Sequence, residues 1–477
     1  MLMKKSKWLA LAGVSLLSVG VLVACSSKSN TSSNTYNYVY NADPETLDYL
    51  ISNKGSTIDA VTNGVDGLLE NDKYGNLVPA IAKDWTVSAD GLTYTYKLRK
   101  GVKWYTSDGE EYAEVTAKDF VTGLKHAADK KTESIYLAKD SVVGLADYFN
   151  GTDKDFSKVG VKALDDYTLQ YTLKQPEPYW NSKMTYSLFW PVNEEFLKSK
   201  GDSFGKSTDP SSILYNGPYI LKSLTAKSSI ELAKNENYWD KKNVHYDGVK
   251  LSFFDGSDQE AQVRNFTDGA YSQARVYPTG SNFASVKKQY KDNIFYTQPS
   301  ADIVGVGVNI DRQSYNHTSK KTDAEKDSTK KALLNKDFRQ SINFSINRES
   351  YSAQINGEEG GVLAVRNLLV KPDFVYAGDK SFGDLVTEKM ASYGDEWSGV
   401  NLKDSQDGLF NADKAKTEFN KAKEALQAQG VQFPIHLDMP VDQTAKTKVA
   451  RAQSLKQSVE ETLGKENVVV DLNQMSQ

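Results

Sequence analysis

The sequence predicts an α/β protein of more than one domain, set behind a leader. Three observations carry this. Near the end, Ile435 to Met439 reads as a strand, a helix follows to about Leu463, and Val468 to Leu472 reads as a strand again. That is the spacing of a βαβ unit. Between residues 72 and 186, short alternating strands and turn residues surround one capped helix, the pattern of a small α+β unit. The chain has 477 residues, 39% hydrophobic and 25% charged, enough for two or three ordinary globular domains.

The leader comes first. Lys4, Lys5 and Lys7 form a basic start, and Trp8 to Val23 is an apolar run, too short for a membrane span of about 20 residues. Leu22-Val23-Ala24 ends at Cys25, the single cysteine of the chain. This resembles a lipobox, in which the thiol takes a diacylglycerol and becomes the new N-terminus. Residues 1–24 are thus expected to be a lipoprotein signal peptide and Cys25 the lipid attachment site. The Ser-, Asn- and Thr-rich stretch 25–35 cannot bury a core and is expected to be a tether. One cysteine excludes an internal disulfide and any multi-cysteine metal site. A net charge of −4 with both signs mixed gives no electrostatic footprint for nucleic acid.

From Tyr36 the text turns globular. Tyr36 to Tyr40 alternates as a strand, and Ile58, Val61, Val65, Leu68 and Leu69 recur at helical spacing. Asp90-Gly91 marks a hairpin turn, after which Leu92, Tyr94, Tyr96 and Leu98 alternate with polar residues. Thr116, with Asp119, caps a helix from Ala117. Asp165-Asp166 turns into a second alternating run, Leu169, Tyr171 and Leu173. Val249 to Phe253 and Ala301 to Ile310 read as strands, and Asn316 to Lys331 as a solvated loop. Asp337 to Ile346, Glu349 to Ile355, and Asn411 to Gln429 with Gly430 as stop read as helices. Asp442 is expected to cap the helix of the βαβ unit.

Chemical motifs are sparse. Gly205-Lys206-Ser207-Thr208 lacks the earlier glycine of a phosphate loop, whose place is taken by Lys200. The four histidines, His126, His245, His317 and His436, lie far apart. Glu110-Glu111 and Glu358-Glu359 read as solvated turns. No metal, no cofactor, no serine-nucleophile elbow and no catalysis are expected.

Several stretches together resemble a known family. They are Leu77 to Trp85, Ser88 to Tyr94, Leu98 to Trp104, Thr116 to Phe120, Asn216 to Tyr219, Asn237 to Trp239, and Phe338 to Asn343 with Ile346 to Arg348. In this order they resemble the extracellular solute-binding proteins of family 5, nearest to the lipid-anchored oligopeptide receptors of Gram-positive ABC importers. The resemblance implies a two-lobed periplasmic-binding-protein-like fold of class II (cluster C). Lobe I would be 36–71 and 187–299, its extra α+β domain 72–186, and lobe II 300–477. The family runs on beyond the equivalent of Gln477, so lobe II is expected to be incomplete, with exposed apolar surface and an open edge near Val468 to Leu472.

The resemblance also implies a ligand held between lobes that close on it, read through its main chain rather than its side chains. Ser272, Gln273, Ala274, Arg275 and Val276 match one cleft segment; Gly55, Ser56 and Thr57 match a second; Asn309 ends the crossing strand. Arg275 could hold a carboxylate. The implied function is capture of oligopeptides for the permease subunits of an ABC importer by a monomer anchored through its lipid, a palmitate-labelled one, on the outer face of the cell membrane. Two alternatives stay open: a surface adhesin or peptide-signal sensor on the same fold, and a family member binding a nickel chelate or haem.

Overall fold

The computed structural model describes residues 34–297, 303–390, 392–443 and 445–475. Cys25, the signal peptide and most of the tether lie outside the described residues. The chain divides into two compact units of mixed α and β structure. One takes residues up to Ser257 with Gly269–Gln273; the other takes Asp258–Asp268 and Ala274 onward.

The first unit holds two four-stranded sheets. In one, Thr35–Tyr40 pairs in parallel with Gly248–Phe253, which continues antiparallel to Ser229–Lys234 and Tyr219–Thr225. The other is wholly antiparallel, in the order Ala82–Val87, Thr93–Leu98, Thr168–Thr172, Val161–Asp165. Its expected alternation holds: Tyr94, Tyr96 and Leu98 are buried while Lys97 faces solvent. The hairpin turn is set by Asp90, whose carboxylate accepts the Leu92 N–H at 3.0 Å, and by Gly91 at φ +71°. The helix Ala117–Asp129 starts on the expected capping box of Thr116 and Asp119. It buries Phe120, Leu124, Ala127 and Ala128, a stripe at i, i+4, i+7 and i+8.

One helix of this unit is shorter than its periodicity predicts. The spacing from Ile58 to Leu69 is helical but interrupted by Gly64 and Gly67, and the helix is Gly55–Val61, with Leu69 opening a strand. Close packing replaces the later turns. A Cβ on Gly67 would stand 2.7 Å from the Trp190 indole, so the chain runs flat against that ring.

The second unit is mainly helical. Lys336–Ser345, Ala412–Ala428 and Lys446–Leu463 surround a core of Phe338, Phe344, Phe419, Leu426, Leu455 and Val459. The βαβ unit is present: Ile435–Asp442 pairs in parallel with Val468–Met475 across the helix Lys446–Leu463. Asn411 caps as expected, its side chain accepting the Lys414 N–H at 2.9 Å, and Gly430 follows the helix end at φ +73°.

Four expectations for this unit change. The stretch Asn316 to Lys331 is not all loop, because Asp323–Leu334 is a helix. Its polar composition hides a capping box: Thr322 Oγ1 accepts the Glu325 N–H at 3.2 Å, and Glu325 accepts the Thr322 N–H at 2.9 Å. Thr322→Ala is expected to cost about 1 kcal/mol, checked by urea titration. Second, Asp442 ends a strand instead of capping, and the helix begins at Lys446 with Ala445 as N-cap. Third, the helix expected over Glu349 to Ile355 extends over Arg348–Gly361, interrupted at Gly357 with φ +68°. Fourth, residues 303–310 form no strand. Among the described residues, none of their main-chain groups is hydrogen-bonded. Exposed apolar side chains lie here, with Val304 71%, Val306 52% and Val308 45% exposed, whereas Val468, at the expected place, is fully buried.

A buried polar knot sits midway along the strand Ile435–Asp442. Asp438 accepts from Arg312 Nη1 at 2.6 Å, Thr318 Oγ1 at 2.7 Å, Lys320 Nζ at 2.8 Å and the Ser319 N–H at 2.8 Å. Burial alone would push its carboxyl up. The Lys320 ammonium, the Ser319 N–H, the Thr318 hydroxyl and the Arg312 guanidinium outweigh burial and hold it well below the usual carboxylate range. Asp471, the register partner of Asp438, is held by His436 Nδ1 at 2.8 Å and Ser319 Oγ at 2.6 Å.

Candidate functional site

Residues 272–276 have no regular secondary structure, and most of their main-chain hydrogen-bonding capacity is unspent. Ser272 is tied to the sheet at two points: its N–H donates to the Asn37 carbonyl at 2.8 Å and its Oγ accepts the Asn37 N–H at 2.9 Å. The Arg275 N–H donates to the buried Gln262 side chain at 3.1 Å. Among the described residues, the N–H groups of Gln273, Ala274 and Val276 and all five carbonyls have no hydrogen-bond partner. Buried backbone is almost always paired, so this strip persists unpaired because solvent, or a ligand, can reach it. The exposed Arg275 guanidinium lies over the Tyr277 ring at 5.0 Å and makes no ion pair among the described residues.

The turn at 55–57 opens the helix Gly55–Val61 with an exposed Gly55 and a half-buried Ser56. Thr57 is fully buried and its hydroxyl donates to the Thr46 carbonyl at 2.9 Å, so its side chain packs the turn. Asn309 is exposed; its side chain accepts the Asp311 N–H at 3.1 Å, and it lines a cavity of about 380 Å³ beside Leu437 and Met439.

One motif runs against the expectation that no serine elbow exists. Gly201-Asp202-Ser203-Phe204-Gly205 has the Gly-x-Ser-x-Gly spacing, and Ser203 lines a cavity of about 390 Å³ with His126 and Asp48, themselves 2.7 Å apart. The supporting geometry is missing. A helix, Glu194–Lys200, leads into the motif where an elbow needs a strand, and Ser203 Oγ makes no hydrogen bond to His126. Gly205 serves packing instead: its Cα presses on Asp48, where a Cβ would come within 2.4 Å.

Among the described residues, no group of three or more His, Cys, Asp or Glu could hold a metal ion, and no helix is long and apolar enough to cross a membrane. A second-unit cavity of about 600 Å³, lined by Arg451, Arg366 and Asn367, was not foreseen from the sequence. Its lining comes from separate helices and loops, and no contiguous motif links them.

The fold is that of solved oligopeptide-binding proteins. The chain matches the pheromone receptor PrgZ with TM-score 0.66 and 22% identity, covering 93% of this chain and 77% of that one. It matches Listeria monocytogenes OppA bound to peptide with TM-score 0.63 and 22% identity, over 93% and 77%. The chain belongs to the bacterial extracellular solute-binding proteins, family 5, whose model matches residues 76–477. Among curated relatives it is 69% identical over 477 residues to the oligopeptide-binding protein AmiA of Streptococcus pneumoniae, and 62% identical to SarA of Streptococcus gordonii. Each match covers 99% of this chain and 72% of the relative.

Proposed function

We propose that this protein is a receptor that binds oligopeptides outside the cell and delivers them to an ABC importer. The unpaired main chain of residues 272–276 carries the reading. An extended peptide offers the amide and carbonyl groups that such a strip lacks, and pairing through main chain tolerates many side chains. Gly55, Ser56 and Asn309 add further main chain within reach of solvent. Family membership and the names of the streptococcal relatives support the same ligand class. Lobe I would take 36–71 and 187–299, with 72–186 as its extra domain, and lobe II 300–477.

Titration calorimetry of the full chain with a mixed oligopeptide pool is expected to give saturable heat. No heat with any peptide overturns the reading. The lipid anchor is tested separately. Labelled palmitate is expected to enter the protein in cells, and Cys25→Ala to abolish both the label and recovery in the membrane fraction. Undiminished label in that variant removes Cys25 as the anchor.

A further inference from the structure

The strip 272–276 pairs well with a ligand's main chain only if its own main chain is held in place beforehand. Two anchors hold it. Ser272 is tied to Asn37 through its N–H and its hydroxyl, and the Arg275 N–H donates to Gln262 Oε1 at 3.1 Å. The N–H groups of Gln273, Ala274 and Val276 stay without a partner among the described residues.

Gln262 lies on the helix Ala261–Thr267 and is 2% exposed. Burying a side-chain amide costs free energy unless its polar atoms are bonded, and a methionine would fill similar space without that cost. What the amide supplies here is the acceptor for Arg275. The chain beyond the strip is fixed to the start of the same helix. Glu260 Oε1 accepts Ser281 Oγ at 2.6 Å and the Asn282 N–H at 3.2 Å. Between these bonds Pro278 presses on Gly357, at φ +68°, where a Cβ would come within 2.6 Å of the proline Cβ. The segment 275–282 is thus pinned at three places, and Gln262 is the pin that reaches the strip.

We propose that Gln262 is a positioning residue for peptide capture, holding the Arg275 main chain so that the unpaired groups beside it are set before a peptide arrives. Without this bond the strip must be ordered at the moment of binding, and the conformational entropy lost there is subtracted from affinity. The loss falls on main-chain pairing, so it is the same for every peptide whatever its side chains. This inference rests on the receptor reading and adds to it the residue that sets the geometry of the strip.

The test uses the full chain, the variant Gln262→Met, and two ligands of unlike side chains, hexa-alanine and the hexapeptide Lys-Phe-Glu-Thr-Gln-Val. Hydrogen exchange resolved to single residues comes first and needs no variant. Without peptide, the Arg275 amide is expected to show a protection factor about tenfold or more above those of Gln273 and Ala274. Equal protection overturns the inference. In Gln262→Met the Arg275 protection is expected to vanish while the thermal unfolding midpoint stays unchanged. Titration calorimetry is then expected to show both hexapeptides bound about tenfold more weakly, by the same factor, through a less favourable entropy. Undiminished affinity in Gln262→Met, whatever its midpoint, or a loss confined to one hexapeptide, overturns the inference and leaves the receptor reading intact. No binding of either hexapeptide or of the mixed pool by the unaltered chain overturns both.

Discussion

Asp438→Asn is expected to destabilise the second unit by about 3–5 kcal/mol. The carboxylate serves two cations and several neutral donors at once. Lys320, whose side chain is fully buried, and Arg312 both end on Oδ2. Asparagine keeps the shape but removes the charge, leaving the Lys320 ammonium buried without an anion. That uncompensated charge dominates the expected loss. The effect is read by urea titration followed at Trp397, the one tryptophan beyond Trp239 and so the reporter for the second unit. A pH signature accompanies it. The folded carboxyl titrates below its unfolded value of about 3.9, so its stabilisation is present above about pH 4 and is lost as pH falls below that. Asp438→Asn should abolish this part of the acid dependence. A loss under 1 kcal/mol, or an unchanged acid limb, contradicts the account.

Trp180→Ala carries a comparable cost in the first unit, about 3–5 kcal/mol. Trp180 is fully buried and packs against three rings, with centroids 5.4 Å from Tyr171, 5.5 Å from Phe189 and 6.2 Å from Tyr94. Truncation leaves an indole-sized hole in a close-packed aromatic cluster. A companion substitution separates packing from polarity. The Tyr171 hydroxyl is buried with no hydrogen-bond partner among the described residues, and burial pushes its ionisation well up. Tyr171→Phe deletes a desolvated polar atom and keeps the ring, so it is expected to be neutral or slightly stabilising. Thermal unfolding of the two variants decides between them. If Tyr171→Phe costs as much as Trp180→Ala, the hydroxyl has a partner.

Much of the local structure was legible because its cause is local. Alternation at Tyr94, Tyr96 and Leu98 marks a one-sided strand, and Thr116 with Asp119 marks a helix start; both appear where the sequence places them. The terminal βαβ unit was legible from spacing alone. The helix Asp323–Leu334 was missed because its Lys, Asp and Thr content reads as loop, though Thr322 and Glu325 carried the signal. Residues 303–310 show the opposite failure: the apolar alternation is that of a strand, but a strand needs a neighbour, and sequence periodicity does not supply one. The 272–276 strip came from a family resemblance, since its property is an absence of pairing that no residue pattern encodes. Gln262 was illegible for a related reason. Whether a buried amide finds a partner depends on which segment folds back against its helix.

The bare run from Ile303 to Ile310 has a consequence for the lifetime of the molecule. A protease draws its substrate out straight and lays it along the rim of its own cleft as an added strand. This segment carries exposed apolar side chains and, among the described residues, has no main-chain hydrogen bond to break first. Cleavage there would part the helical half from everything before it, so limited proteolysis of the purified chain is expected to cut first within residues 303–310.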